Sequence, residues 1–312
     1  MPLMRLVQIL FLWACALASL GEVRASTVAI VLTERSAGYL DVAKVITAEL
    51  EREGLVNSDI TLYTPAEWMN AESSGENQKM LVTLGADAFR QVLGHEPRAS
   101  VVAALLPRIG FERIVRESGR RLPTNLTAVF LDQSFGRRVD LIRLILPDAK
   151  RVGVLWGPES VVSQSSLTQS VQSRGLGIES SVVASPAGLF AGLKSVLDES
   201  DVLLAVPDPQ VYSSTTIANI LLATYRARIP MVAFSPAYVK AGALVAIYAT
   251  PVQIGQQAAG LVRLGLQGAA LPPPQYPNEF EISVNAHVAR SLGLNLDART
   301  LTEKLLSAAK RP

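Results

Sequence analysis

Short apolar runs recur along the chain, separated by segments whose apolar positions follow helical spacing. The pattern predicts strands over 27–32, 59–63, 80–84, 101–105 and 126–131, and a second series over 152–156, 178–183, 202–206, 231–234 and 244–248. Between them, 39–52, 135–146, 163–174, 187–197, 214–226 and 251–266 read as helices. Several runs, such as Val28-Ala-Ile-Val-Leu32 and Val202-Leu-Leu-Ala-Val206, are continuously apolar rather than alternating. That is the signature of parallel strands covered by helices on both faces. Strand and helix in alternation predict an α/β fold with right-handed crossovers.

The series divides into two similar halves of about five strands, each the size of one doubly wound sheet. The break falls at Asp132-Gln133-Ser134, and Asp132 there is counted among the candidate ligand contacts. After the helix ending at Leu266 comes a Pro-rich stretch, Leu271-Pro272-Pro273-Pro274, and then one further strand over 280–284. A strand placed this late suits a chain that crosses back between two lobes. Lobe 1 is therefore expected over 26–132 plus 249–279, and lobe 2 over 133–248 plus 280–312.

The beginning of the chain changes the picture. Arg5 precedes an apolar run from Leu6 to Leu20, which Gly21 and Glu22 break before Val23-Arg24-Ala25. Small side chains at the two positions a signal peptidase reads make residues 1–25 a secretory signal cleaved after Ala25. The run is shorter than a spanning helix needs, which argues against an uncleaved anchor. Cys15, the only cysteine, lies in a distorted lipobox with Trp13 where a small residue is usual. Lipid attachment there is the less favoured alternative. A mature chain cut after Ala25 has no cysteine, so thiol catalysis and cysteine metal sites fall away. It keeps 27 basic and 26 acidic residues, a balance that gives no reason to expect nucleic acid as a partner.

Open α/β sheets bind ligands beyond the carboxyl ends of their strands, so the loops there hold the candidate chemistry. In the first half these are Thr33, Glu34 and Ser36, then Thr83 and Gly85, where a glycine opening a helix presents N–H groups to an anion. Gly85 serves equally well for simple packing. In the second half Asp208 follows a very apolar strand and precedes Tyr212. Its carboxylate suits a ligand ammonium or, as the alternative, a helix cap. Trp156, Tyr212, Phe234 and Tyr248 all stand at or just after strand ends, where aromatic rings stack on a planar ligand, hold a cation or pack the lobe edge. The two histidines, His95 and His287, follow no strand of the main series, and no HExxH, CxxC, GxSxG or Walker sequence occurs. No catalytic residue, cofactor or metal is expected.

Residues 151–294 carry a resemblance. The segments are Arg151-Val-Gly-Val-Leu155, Ala205-Val-Pro-Asp208, Arg228-Ile-Pro-Met-Val232, Val239-Lys-Ala-Gly-Ala-Leu244, Ile254-Gly-Gln-Gln-Ala-Ala259 and Asn285 through Ser291-Leu-Gly-Leu294. Asn125-Leu-Thr-Ala-Val129 and Leu144-Ile-Leu-Pro-Asp148 extend it into the first half. Together they resemble the ABC-transporter substrate-binding proteins of the tryptophan/tyrosine-binding type, which have the type I periplasmic-binding fold. The resemblance implies two lobes joined by three crossovers, here near Asp132, Tyr248 and Phe280, closing on a small molecule. It places Ser163 and Asp208 at polar ligand contacts of the second lobe. It also implies a monomeric periplasmic protein whose partners are that small-molecule ligand and an ABC permease in the inner membrane.

The chain departs from the family at the ligand loops. Gly157-Pro158 stands for Asn-Pro, Val162 for a second Asn, and Pro209 for the Asn after Asp208. Thr250-Pro251-Val252 replaces an acidic Asp-Tyr-Tyr, and Leu106-Pro107-Arg108-Ile109 stands where the first lobe usually has Asp-Pro. The leading expectation is a solute-binding protein with a divergent ligand. A sensing or scaffolding envelope module of the same fold is the second reading, and an enzyme the third.

Overall fold

The computed structural model describes residues 27–71, 78–119 and 124–309. The leader over 1–25 and Cys15 lie outside the described residues.

Two sheets carry the fold. The first contains β1 (Val28–Leu32), β2 (Ile60–Tyr63), β3 (Met80–Leu84), β4 (Ser100–Ala104) and β5 (Leu126–Val129), in the order β2-β1-β3-β4-β5. All its pairings are parallel. The second contains β6 (Arg151–Trp156), β7 (Gly177–Val182), β8 (Val202–Leu204), β9 (Met231–Ala233), β10 (Val245–Tyr248) and β11 (Glu281–Val284), in the order β11-β10-β9-β8-β6-β7. Apart from the antiparallel edge strand β11, this is the same 2-1-3-4-5 order. The chain is thus two doubly wound α/β lobes built on one plan.

The continuous apolar runs fold as their composition requires. All five residues of β1 are buried. Val28, Ile30 and Leu32 enter the core on one face, while Ala29 and Val31 enter the core on the other. Successive side chains of a strand point to opposite faces, so only a run without polar interruption fills both. The helices complete these layers. α1 (Ala37–Arg52) covers one face of the first sheet. α2 (Pro65–Asn70), α3 (Ala86–Gly94) and α4 (Arg108–Glu117) lie on the other. In the second lobe, α5 (Phe135–Ile145) and α6 (Gln164–Gln172) face α7 (Leu189–Asp198), α8 (Ile217–Ala227) and α9 (Pro236–Ala241) across the sheet.

Three segments join the lobes. The first runs from β5 through 130–134 into α5. The second leads from β10 into α10 (Pro251–Leu266), which returns to the first lobe and packs on α1. Gly255 makes that approach possible, because a Cβ there would lie 2.7 Å from Val45 Cγ1. The third is 267–280. Within it Gln275 pairs in parallel with Val129, its N–H donating to Ala128 and its carbonyl accepting from Phe130. The chain then enters β11 and ends with α11 (Ala286–Ser291) and α12 (Ala298–Ala309), which close the second lobe. Among the described residues, no helix is long and apolar enough to cross a membrane.

Candidate functional site

Both sheets direct the carboxyl ends of their parallel strands toward the crossovers, and a cavity of about 370 Å³ lies there. It is lined by Pro107, which follows β4, and by Leu131, Asp132 and Ala249 from the first two crossovers. Pro207 follows β8, Phe234, Ser235 and Pro236 follow β9, and Tyr248 ends β10. Its wall is therefore shared by both lobes and by the segments that hinge them. Such a position at strand ends is where open α/β sheets bind ligands.

Local structure explains each wall. Leu105, just before Leu106-Pro107, has a φ of 57°, which is rare for a bulky side chain. This left-handed turn ends β4 and sends Pro107 toward the cavity. Phe234 is held from behind by two rings in edge-to-face contact, Tyr212 at 6.1 Å and Tyr238 at 5.0 Å between centroids. Tyr248 donates its hydroxyl to Glu281 at 3.2 Å, and its ring is left to face the cavity. Leu131 is 41% exposed although it sits between two lobes, so an apolar surface is open to a ligand here.

Asp132 is the only ionisable carboxyl or amine among the lining residues. One of its oxygens accepts the Arg108 N–H at 2.7 Å, the first N–H of α4. Burial pushes its carboxyl above the usual range, against the pull of that hydrogen bond and of the Arg138 and Arg108 charges. Arg138 itself is fully buried in the first turn of α5 and donates to the Ala205 carbonyl. Desolvation brings its pKa down to about 10, with Asp132 opposing that fall.

Asp132, Phe234 and Tyr248 thus come together among the expected site residues. The others do not join them. Asp208 is 3% exposed and its carboxylate accepts three backbone N–H groups, from Glu159 at 3.1 Å, Ser160 at 2.9 Å and Gln210 at 3.0 Å. It ties the loop after β6 to the loop after β8 and points away from solvent. Gly157 is needed for that, since a Cβ there would overlap the Asp208 carboxylate. Trp156 and Tyr212 are core residues of the second lobe, and burial raises the Tyr212 hydroxyl pKa. Ser163 ends a short 3₁₀ turn before α6 and makes no capping hydrogen bond.

In the first lobe, Thr33 Oγ1 accepts the Ala88 N–H at 3.2 Å and so occupies the start of α3. A Cβ on Gly85 would lie 2.5 Å from that oxygen, and the residue has a φ of 95°, so glycine is required by packing as well as by conformation. Thr83 is fully buried, while Glu34 and Ser36 are exposed and do not reach the cavity. The other lining residues are Pro107, Leu131, Pro207, Ser235, Pro236 and Ala249, none of them among the expected contacts although Pro207 and Ser235 lie in loops that follow strands. All lie within a few residues of a strand end, but most carry no chemistry that would mark them.

Among the described residues, one ion pair spans the lobes outside the cavity. Arg113 on α4 meets Glu159 of the second lobe at 3.0 Å. Arg137 of α5 donates to the Pro277 carbonyl at 2.8 Å and lies 4.7 Å from the Phe280 ring centroid, fastening the third crossover. Among the described residues, no group of three His, Cys, Asp or Glu side chains is placed to hold a metal.

A cavity between two doubly wound lobes joined by three crossovers is the architecture of type I periplasmic-binding proteins, and comparison with known proteins agrees. The family described as ABC transporter substrate binding protein matches residues 74–310. The chain belongs to that family. No curated protein matches the sequence. Among solved structures, the binding protein is similar to a conserved domain protein from Vibrio cholerae O1 biovar El Tor, at 20% identity and a TM-score of 0.61, covering 91% of this chain and 98% of that one. It is also similar to a substrate binding protein with adhesive properties from Clostridium difficile in its ligand-free, open form. There the identity is 14% and the TM-score 0.70, over 88% and 96% of the two chains. A third is an ABC domain from Streptococcus pneumoniae in complex with L-Trp, at 15% identity and a TM-score of 0.61, over 91% and 98%. At these identities the similarities establish the fold. The family and these relatives are described as binding proteins or domains rather than as enzymes.

Proposed function

We propose that this chain is an exported solute-binding protein that captures a small organic molecule between its lobes and delivers it to an ABC permease. The observation that carries the proposal is the cavity at the crossovers. Its walls come from both lobes and from two hinge segments, so a molecule bound there touches both halves at once. Its volume of about 370 Å³ falls in the range of small-molecule sites. The ligand contacts are Asp132, Phe234 and Tyr248, with Pro107, Leu131, Pro207 and Ala249 as apolar walls. The L-Trp held by one relative of the same fold supports a small-molecule ligand as a class.

Lobe 1 comprises 26–132 plus 249–279, and lobe 2 comprises 133–248 plus 280–312. Cleavage after Ala25 releases the protein to the periplasm as a monomer. Ligand contact with both lobes favours the closed arrangement, which the permease then recognises. The test is a thermal-shift screen of small solutes, followed by solution scattering. A stabilising solute should also reduce the radius of gyration. A broad screen without any shift would overturn the reading.

A further inference from the structure

The lining of the cavity restricts what it can hold. A ligand carboxylate inside an α/β cleft needs either a basic side chain or the free N–H groups of a helix start. No Lys or Arg lines this cavity. The adjacent Arg108 is directed to Glu112 at 2.6 Å and Tyr276 at 3.2 Å, and Arg138 is fully buried behind the wall, where it donates to the Ala205 carbonyl.

Four helices begin at or beside the cavity, and in each the chain itself caps part of the first turn. The first N–H of α4 donates to Asp132. α5 is capped by Ser134, whose Oγ accepts from Arg137 at 3.3 Å. α9 begins with Pro236, which has no N–H, and Ser235 caps the next residue at 3.3 Å. At α10, Thr250 and Gln253 cap one another's N–H groups at 3.2 and 2.9 Å. An anionic ligand would compete with these caps and would meet Asp132 besides.

Asp132 offers the opposite chemistry. The Arg138 and Arg108 charges act on it through space, with no side-chain hydrogen bond or ion pair to either guanidinium. Around this one carboxylate the wall is three prolines, Leu131, Ala249 and two aromatic rings, with Ser235 the one hydroxyl besides that of Tyr248. A carboxylate in such surroundings is best compensated by an ammonium group, and aromatic faces add to the attraction for a cation.

We propose that the cavity takes a small, mainly apolar molecule that carries an amine and lacks a carboxylate, with its ammonium on Asp132 and its body between Leu131, Phe234 and Tyr248. This rests on the reading of the cavity as the ligand site. It sets the protein apart from an α-amino-acid receptor, which must hold both charges of its ligand.

The test compares four compounds with a shared ring by isothermal titration calorimetry: 2-phenylethylamine, L-phenylalanine, 3-phenylpropionate and 2-phenylethanol. The amine should bind at least tenfold more tightly than the amino acid, and the acid should be weakest. Asp132→Asn keeps an oxygen to accept the Arg108 N–H, so the variant retains the cap of α4. It should lose at least tenfold in affinity for the amine while 2-phenylethanol binds it as it binds the parent protein, a control for an intact cavity. Phe234→Ala should weaken both.

Equal or tighter binding of the amino acid or the acid would overturn the amine proposal and leave the binding-protein reading standing. So would unchanged amine affinity in Asp132→Asn. Failure of all four compounds would also overturn it. The thermal-shift screen of unrelated solutes then decides separately whether the binding-protein reading falls too.

Discussion

Asp132 and Asp208 both stand just beyond the ends of parallel strands in a fold that binds ligands at strand ends, and both are largely withdrawn from water. They differ in what surrounds them. Asp208 is enclosed by three backbone N–H groups from two loops, with a glycine opposite it in place of any side chain. Asp132 accepts one N–H from α4 and lies in an apolar wall between the lobes. A carboxylate fully satisfied by the backbone is a structural tie. One left mostly to an apolar cavity raises its own pKa and has charge to offer a ligand. Position in the fold nominates a residue, but the hydrogen-bond count decides its role.

The largest expected effect falls on the enclosed aspartate. Asp208→Ala leaves three buried N–H groups without an acceptor and should destabilise the protein by about 3 kcal/mol. In thermal unfolding that is a fall of roughly 5–10 °C in the midpoint, with the loops after β6 and β8 losing hydrogen-exchange protection. A stable Asp208→Ala protein that no longer bound ligand would reverse the roles assigned to the two residues.

Gly157→Ala comes next, at about 1–3 kcal/mol, because its methyl group must displace the Asp208 carboxylate. The two sites touch, so the double variant should cost less than the sum of the singles. Additive losses in a double-mutant cycle would mean that Gly157 is required for another reason.

Asp132→Asn should change stability little, and its effect should depend on pH. The folded carboxyl titrates above its unfolded value, so the folded state favours the protonated form. Its stabilising contribution is fully present below the unfolded pKa of about 3.9 and is lost as pH rises through the folded value. The variant should therefore melt as high as or higher than the parent at pH 7. Its advantage should shrink as pH falls toward 4. An advantage that grew on acidification would place Asp132 in a strong ion pair. The smallest effect is expected at Arg113→Ala, which removes the half-buried bridge to Glu159. Its worth is about 0.2–1 kcal/mol and should vanish in high salt.

Much of the fold is legible in the chain because continuous apolar runs such as Val28–Leu32 have only one comfortable place, the middle of a covered parallel sheet. The eleven strands of the described residues lie where the runs lie, with ends shifted by a residue or two. The β8 run shortens to Val202–Leu204 because beyond Ala205, whose N–H still donates to Val232, the chain turns away toward Pro207. The cavity was less legible. Phe234 and Tyr248 announce themselves as aromatic residues at strand ends, and Asp132 as a charge at the break between halves. Pro107, Pro207 and Ala249 carry no distinguishing chemistry, and only their convergence in space makes them a wall. Asp208 misleads in the other direction. A carboxylate after a buried strand reads the same whether it faces a ligand or its neighbours' N–H groups, and the sign of its true role lay in Gly157, fifty-one residues earlier.

The central claim is that a small molecule in the crossover cavity draws the lobes together. It is tested most directly by a distance between spin labels placed one on each lobe, at Arg116 on α4 and at Val162 beside α6. Both positions are exposed, and the sequence from residue 26 onward holds no cysteine that would compete for the label. Pulsed dipolar spectroscopy should give a shorter distance when a stabilising solute is added, and no shortening when Asp132→Asn and Phe234→Ala are combined. A distance distribution unmoved by a solute that raises the melting temperature would contradict it.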